Sequence, residues 1–446
     1  MQNTHEITPE LLSCFSAGFH ADEKNAIRQH AVVKAGIGDA AENHQANIDN
    51  PMVFSIELKD TGKITNQKAS GRCWLFAALN TMRYEVIHNL NLDDFELSQN
   101  YQMFWDKLEK ANYFLESIVK TAGEPLDGRL VNFIIGAPMQ DGGQWDMYAA
   151  LADKYGCVPK CVMPETFHSS NTRVMNRLLT FKLREDADEL RAAVRDGAKT
   201  AQLDALKERM LQEVYNVLVI CLGEPPAKFD FEYRDKDGEF HRDAGLTPKS
   251  FFKKYIRLNL GDYVSVINAP TADKPYGKTF TVAFLGNVVG GREVKYLNLP
   301  SADLKKIAIR QLKDGKPVWF GCDVGQMSTR DTGLLALNAF DYEAATGLKF
   351  AFDKAQRLDY CMSGMSHAMV FQGVNLVDGK PNRWKVENSW SDKAGQKGYF
   401  IMSDDWFDEY NYQVVVNKKY LTAAQRKAFQ QAPIVLKPWD PMGSLA

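Results

Sequence analysis

In the stretch TNQKASGRCWLFAALN, residues 65 to 80, Gln67 stands six positions before Cys73, with Gly71 between them and Trp74 directly after. A cysteine attacks carbonyl carbon as the thiolate, and an unassisted thiol with pKa ~8.5 is mostly protonated at neutral pH unless a helix N-terminus or a cation lowers it. Cys73 lies where a loop holding Ser70 and Gly71 passes into CWLFAALNTMRYEVIHNL, whose apolar residues occupy nearly every helical face. That pattern predicts a buried helix beginning at the thiol, with the positive end of its dipole acting on the sulfur. A thiol nucleophile also needs an imidazole as proton partner, supplied from elsewhere in the chain. Of the eight histidines, most lie on polar helices or loops, whereas His367 follows the Gly- and Ser-rich CMSGMS and precedes the strand-like AMVFQGVNLV. Twenty-one positions on, Asn388 sits at the end of RWKVENSW, where its amide oxygen can accept the proton of one ring nitrogen and leave the other facing the thiol. Gln67 offers an amide N–H that, with the backbone N–H of Cys73, could stabilise an oxyanion. Each residue alone has a plain structural explanation; together they describe acyl transfer.

The elements that must position these groups are legible in outline. ITPELLSCFSAGFHADEKNAIRQHAVVKAG predicts one or two helices, with Thr8 as N-cap and Pro9 in the first turn. MVFSIELKD reads as a strand, SQNYQMFWDKLEKANYFLESIVK as an amphipathic helix, and DGGQWDMYAALADKYGCVPK as a Gly-Gly loop followed by a helix. Residues 172 to 222 form a helical run with one Gly near its middle, a helical hairpin between lobes. After GEPP, short β-rich runs take over, and the last third is strand-dominated. A helix-rich first part and a β-rich last part imply two lobes meeting at a cleft. Asp146 in QWDM and Asp323 in FGCDVG read as residues that cap or brace turns.

Composition narrows the setting. With 446 residues, the chain exceeds one ordinary core. Its 54 basic and 56 acidic residues give a net charge of −2, so nothing draws it generally to nucleic acid or anionic membrane. The N-terminus lacks the pattern of a signal peptide, and no window approaches the ~18 apolar residues of a membrane span. Seven scattered cysteines are poor material for a disulfide framework and suit a reducing, cytoplasmic compartment. Cys157 and Cys161 have no second ligand pair nearby, which argues against a zinc site. The chemistry above needs neither metal nor organic cofactor.

The motifs NQKASGRCW, DGGQWDMYAAL, GMSHAMVFQG and VENSWSDKAGQKGYF, in that order from residue 66 to 400, resemble those of the papain-type cysteine peptidases. Within them, they resemble the bleomycin hydrolase branch with its bacterial aminopeptidases. The resemblance implies an α+β, papain-like two-lobe fold: a helical lobe plus a β-barrel-like lobe, with a large helical insertion. It divides the chain into an N-terminal helical and extended segment (1–64), a helical lobe with the nucleophile (65–170), an insertion of helical hairpin and short strands (171–305), a β-rich lobe with His and Asn (306–433) and a tail docked in the cleft (434–446). It assigns Cys73 as nucleophile, His367 as general acid and base, Asn388 as its orienting partner and Gln67 as oxyanion donor. It further implies that Trp390 shields the His–Asn bond from water and that the Gly142 and Gly143 backbone binds extended substrate. Secreted relatives usually carry a disulfide Cys three positions before the nucleophile; Ser70 stands there here, in keeping with a cytoplasmic protein. The insertion fits a branch that assembles as a homo-hexamer with its active sites facing an inner channel.

The ending APIVLKPWDPMGSLA is apolar for an exposed tail, which suggests docking. In the similar aminopeptidases the last residues lie in the cleft, so the Ala446 carboxylate would meet the substrate's α-ammonium, largely charged at neutral pH with pKa ~7.7–8.0. The expected activity is therefore a thiol aminopeptidase that removes N-terminal residues from peptides through a Cys73 thioester. The alternatives are an oligopeptidase or endopeptidase of the same branch, a Cys-dependent acyl or amide transferase, and a binding module with a merely buried thiol.

Overall fold

The computed structural model describes residues 6–445. Its centre is the helix that begins at Cys73, Cys73–Asn89, which is buried from Cys73 through Ile87. Such a helix needs partners on all sides. Helices Gln99–Lys120 and Trp145–Tyr155 cover it on one side and the main sheet on the other. Ser98 caps the first of these partners by accepting from the Tyr101 N–H at 3.0 Å. The predicted hairpin is present as helices Arg173–Arg195 and Thr200–Leu222. Met175, Leu179, Leu183 and Leu190 on one arm and Met210, Val214 and Leu218 on the other repeat at helical spacing and face the helical core.

The main sheet has twelve strands among the described residues. Strand His367–Val377 is flanked by Val318–Cys322 and Lys380–Glu387, antiparallel to both. The connection between the last pair is a two-residue turn, Asp378-Gly379, with both residues at positive φ (50° and 77°), the geometry that matches strand twist. Beyond Lys380–Glu387 lies Tyr399–Ser403; beyond Val318–Cys322 lie Asn411–Asn417, Tyr263–Ile267, Tyr296–Asn298, Thr279–Val282 and finally Ile434–Leu436. Alternation sorts the side chains: Ala368 and Val370 join the helical core, while Met369 and Phe371 join a second core beneath helix Ser301–Lys313.

The structure divides the stretch 171–305 differently from the sequence reading. Its helical hairpin packs on the helical lobe, but Tyr263–Ile267, Thr279–Val282 and Tyr296–Asn298 are strands of the main sheet. MVFSIELKD also forms less strand than expected: only Ile56 and Glu57 pair, opposite Val374 and Gly373. The register shifts at Gly373, where an added Cβ would lie 2.6 Å from the Ile56 carbonyl. Helices Pro9–Ala21 and Glu23–Ala35 start where predicted, with Thr8 accepting from the Leu11 N–H at 3.2 Å. Neither buries a residue, and Leu12, Phe15, Ile27 and Val33 are exposed.

The tail runs back across the molecule. Ile434–Leu436 pairs with Thr279–Val282, Asp440 meets buried Lys274 at 2.8 Å, and Tyr296 Oη donates to the Met442 carbonyl at 3.2 Å.

Candidate active site

Cys73 is the first residue of its helix and is buried. The backbone N–H of Ala368, the residue after His367, acts on its sulfur in favour of the thiolate, which sets the start of the central strand beside the thiol. His367 Nε2 lies 2.9 Å from Asn388 Oδ1. The Ser389 N–H donates to the same oxygen at 2.7 Å, so this atom is the amide's acceptor and the ring nitrogen must be the donor. Nδ1 is then the nitrogen left for the thiol. The indole of Trp390 covers the imidazole, with ring centroids 4.8 Å apart.

Electrostatics depart from the expectation based on the helix dipole. Burial pushes the Cys73 thiol up to about 11, against the hydrogen bonds from Ala368 and its own helix that favour the thiolate. Burial likewise takes His367 down to about 4, with the Asn388 bond acting the other way. Desolvation thus opposes either charge alone. A proton moved from the thiol to the imidazole would create the two opposite charges together, so that each would offset part of the other's desolvation penalty.

Gln67 is buried beside them. Its Nε2 donates to the Ser70 carbonyl and its Oε1 accepts from Ser389 Oγ, both at 2.7 Å, which leaves one amide hydrogen without a partner among the described residues. The backbone around it pairs across the cleft: Gln67 N–H donates to the Ser389 carbonyl at 2.9 Å, Asn66 bridges Trp390, and Ser391 N–H donates to Thr65 at 3.1 Å. This short ladder locks the loop ahead of the nucleophile onto the loop that holds Asn388.

The Gly-Gly loop forms the opposite wall. Gly143 lies so close to Trp74 that an added Cβ would be 2.5 Å from the indole, and Trp74 Nε1 donates to the Asp141 carbonyl at 2.7 Å. Asp141 escaped the sequence reading although it opens the DGGQW motif. Its carboxylate accepts from Gly71 N–H at 2.9 Å, Thr172 at 2.6 Å, Asn176 at 2.7 Å and Lys107 at 2.6 Å. Burial pushes its carboxyl up, but Lys107 and the hydrogen bonds outweigh that and hold it well below the usual range. Asp141 therefore ties the loop before Cys73 to the glycine wall. On the other side Asp323, read as a brace, accepts from Ser363 Oγ at 2.8 Å and Ser366 Oγ at 3.0 Å, fixing the turn that leads into His367. The partners of both aspartates lie far along the chain, so what each braces could not be read locally.

The tail reaches this wall. Gln144 Nε2, one residue past Gly143, donates to the Ser444 carbonyl at 2.7 Å, and Leu445 lines a cavity of about 300 Å³ with Phe114, Ile134, Met147 and Phe284. Ala446, whose carboxylate the sequence reading places in the cleft, lies outside the described residues. Among the described residues no group of three or more His, Cys, Asp or Glu is placed to hold a metal ion. Among them no helix is long and apolar enough to cross a membrane.

A family model described as "Peptidase C1-like family" matches residues 6–443. Aminopeptidase C of Streptococcus thermophilus is 54% identical over 96% of this chain and 97% of its own. Aminopeptidase C of Listeria innocua is 53% identical over 99% of both chains. The crystal structure of PepW from Lactobacillus rhamnosis superposes with a TM-score of 0.98 at 54% identity, covering 99% of this chain and 100% of that one.

Proposed function

The chain belongs to the peptidase C1-like family, has its papain-like α+β fold and is a cysteine-type aminopeptidase; on that premise we propose how its residues divide the work. Cys73 Sγ attacks the carbonyl carbon of the N-terminal residue as its proton passes to His367 Nδ1. The Cys73 N–H and the free Gln67 amide hydrogen hold the oxyanion. The imidazolium then protonates the leaving amine, and the shortened peptide departs from a thioester. Water, deprotonated by His367, releases the amino acid and restores the thiol. Asn388 keeps Nε2–H occupied throughout, and Trp390 keeps water off that bond. The observation that carries these roles is the His367–Asn388 hydrogen bond beside a sulfur on which the Ala368 N–H acts.

The direction of cleavage follows from the tail. Substrate lies extended along the Gly142 and Gly143 backbone, and the end of the chain, held at Ser444 by Gln144, obstructs the cleft on the amino side. The Ala446 carboxylate pairs with the α-ammonium of an unblocked peptide. Oligopeptidase or endopeptidase cleavage is the alternative if the tail leaves the cleft open. The exposed apolar residues of the first two helices support self-association, here as the homo-hexamer of the bleomycin hydrolase branch. The scattered, unpaired cysteines support a reducing, cytoplasmic setting. Of the division of the chain set out above, the helical segment, the lobe with Cys73, the lobe with His367 and Asn388 and the tail belong to this proposal, with the insertion reduced to the hairpin of residues 173–222 and the short strands that follow it, ahead of Tyr263.

A mass-spectrometric time course of a short peptide and its N-acetylated twin, under reducing conditions and with Cys73→Ser as control, tests the reading. Residues should leave one at a time from the free N-terminus only, and the control should be inert. Internal cuts in both peptides would overturn the tail-gated direction while leaving the nucleophile standing.

A further inference from the structure

Glu387 ends the strand Lys380–Glu387, one residue before Asn388, with its side chain wholly buried. Its Oε1 accepts from Arg83 Nη2 at 2.6 Å and from Asn80 Nδ2 at 2.8 Å, and its Oε2 accepts from Gln372 Nε2. These partners come from the elements that carry the reacting groups. Asn80 and Arg83 lie on the helix that begins at Cys73, and Gln372 lies on the strand that begins at His367. The same two helix residues reach the segment ahead of Gln67: Asn80 Nδ2 also donates to Thr65 Oγ1 at 3.1 Å, and Arg83 Nη1 to the Lys63 carbonyl at 2.6 Å.

A buried ion pair is a weak source of net stability, because desolvating both charges costs about as much as their attraction returns. Apolar side chains of equal volume would fill this space at no loss. What the carboxylate supplies instead is direction, since each of its bonds fixes an angle between elements that packing alone would let slide. Displacements of about 1 Å in a reacting group can cost on the order of a hundredfold in rate. Asn388, one residue away, is covalently bound to inherit any movement of Glu387.

We propose that Glu387 is a positioning residue of the active site, whose carboxylate locks the nucleophile helix to the imidazole and amide through its bonds to Arg83, Asn80 and Gln372. The proposal rests on the thiol-peptidase reading above. It predicts a loss in turnover rather than in substrate binding, because among the described residues no hydrogen bond joins the glycine wall or the tail to this network.

The test compares the wild type, Glu387→Gln and Gln372→Met, each titrated with a thiol-directed reagent at Cys73 so that turnover is counted per reactive site. Glu387→Gln should lower kcat per titrated thiol tenfold or more with KM within threefold. Gln372→Met, which cuts only the tie to the His367 strand, should lower it about threefold with the fold intact. A kcat per titrated thiol within twofold of wild type in both variants, with the damage confined to melting temperature, would overturn the proposal. If Glu387→Gln does not fold, Gln372→Met decides alone. Failure of the aminopeptidase direction is distinguishable, since the ratio is read on whichever peptide the wild type cuts.

Discussion

At the scale of single residues, burial governs the chemistry more than the helix dipole does. Burial raises the thiol to about 11 and lowers the imidazole to about 4, holding each toward its neutral form. His367 is depressed, so its neutral form persists as pH falls until about 4, and the acid limb of kcat/KM should lie near there rather than at ~6.5. The alkaline limb should come from the substrate's own ammonium near ~8, well before the thiol titrates. A pH profile checks this: with an N-acetylated substrate and a variant lacking Leu445 and Ala446, the alkaline limb should move up, and a limb still near ~8 would refute the assignment. Gly143→Ala is the complementary steric test. Its Cβ would drive into Trp74, the neighbour of the nucleophile, and kcat/KM should fall at least tenfold with little change in thiol titre. The pairing of His367 with Asn388 and the place of Cys73 at a helix start were legible because each residue stands in a short motif whose neighbours announce it. The fall of the imidazole to about 4 was not, because desolvation depends on everything packed around a group.

Among the elements, helix Trp145–Tyr155 carries a buried carboxyl in its first turn. Burial raises Asp146 to about 6, and Arg292, the Lys295 N–H and Ser265 Oγ lower it only in part. For an acid whose folded pKa is raised, the associated stability is complete below the unfolded value and is lost as pH rises through about 6. Asp146→Asn should therefore match the wild type near pH 4 and melt higher by roughly 1 to 3 °C at pH 7 to 8; scanning calorimetry at both pH values checks it. Equal melting temperatures throughout would mean that Arg292 fully compensates the charge. The helical hairpin was readable from spacing alone, since Met175, Leu179 and Leu183 repeat at helical period. The strands at 263–298 were not assigned to the sheet. Tyr263–Ile267 pairs in parallel with Tyr296–Asn298 and antiparallel with Asn411–Asn417, and no local signal encodes partners so far away.

On the scale of the whole molecule, the tail is held by a few named contacts, and its mobility should tune selectivity. Lys274, buried against Asp440, anchors the segment just before Ser444, which Gln144 holds. Lys274→Met removes that charge pair, leaves Asp440 without its cation and should raise activity on N-acetylated peptides severalfold relative to free ones. Unchanged discrimination would show that the Gln144 bond to Ser444 holds the tail by itself. Only part of this was visible beforehand: the apolar ending suggested docking, but neither Lys274 nor Gln144 carries a mark in sequence of the partner it meets.

The ladder between residues 65–67 and 389–391 has a further meaning in time. Ser389 and Gln67 are 322 positions apart, and Asn388 and His367 also belong to the late part of the chain. During synthesis the thiol emerges early, yet it has no imidazole, no amide and no clamp until translation is nearly finished. On the mechanism proposed above, a half-made chain that ends before residue 367 carries the thiol without its proton partner and stays inert.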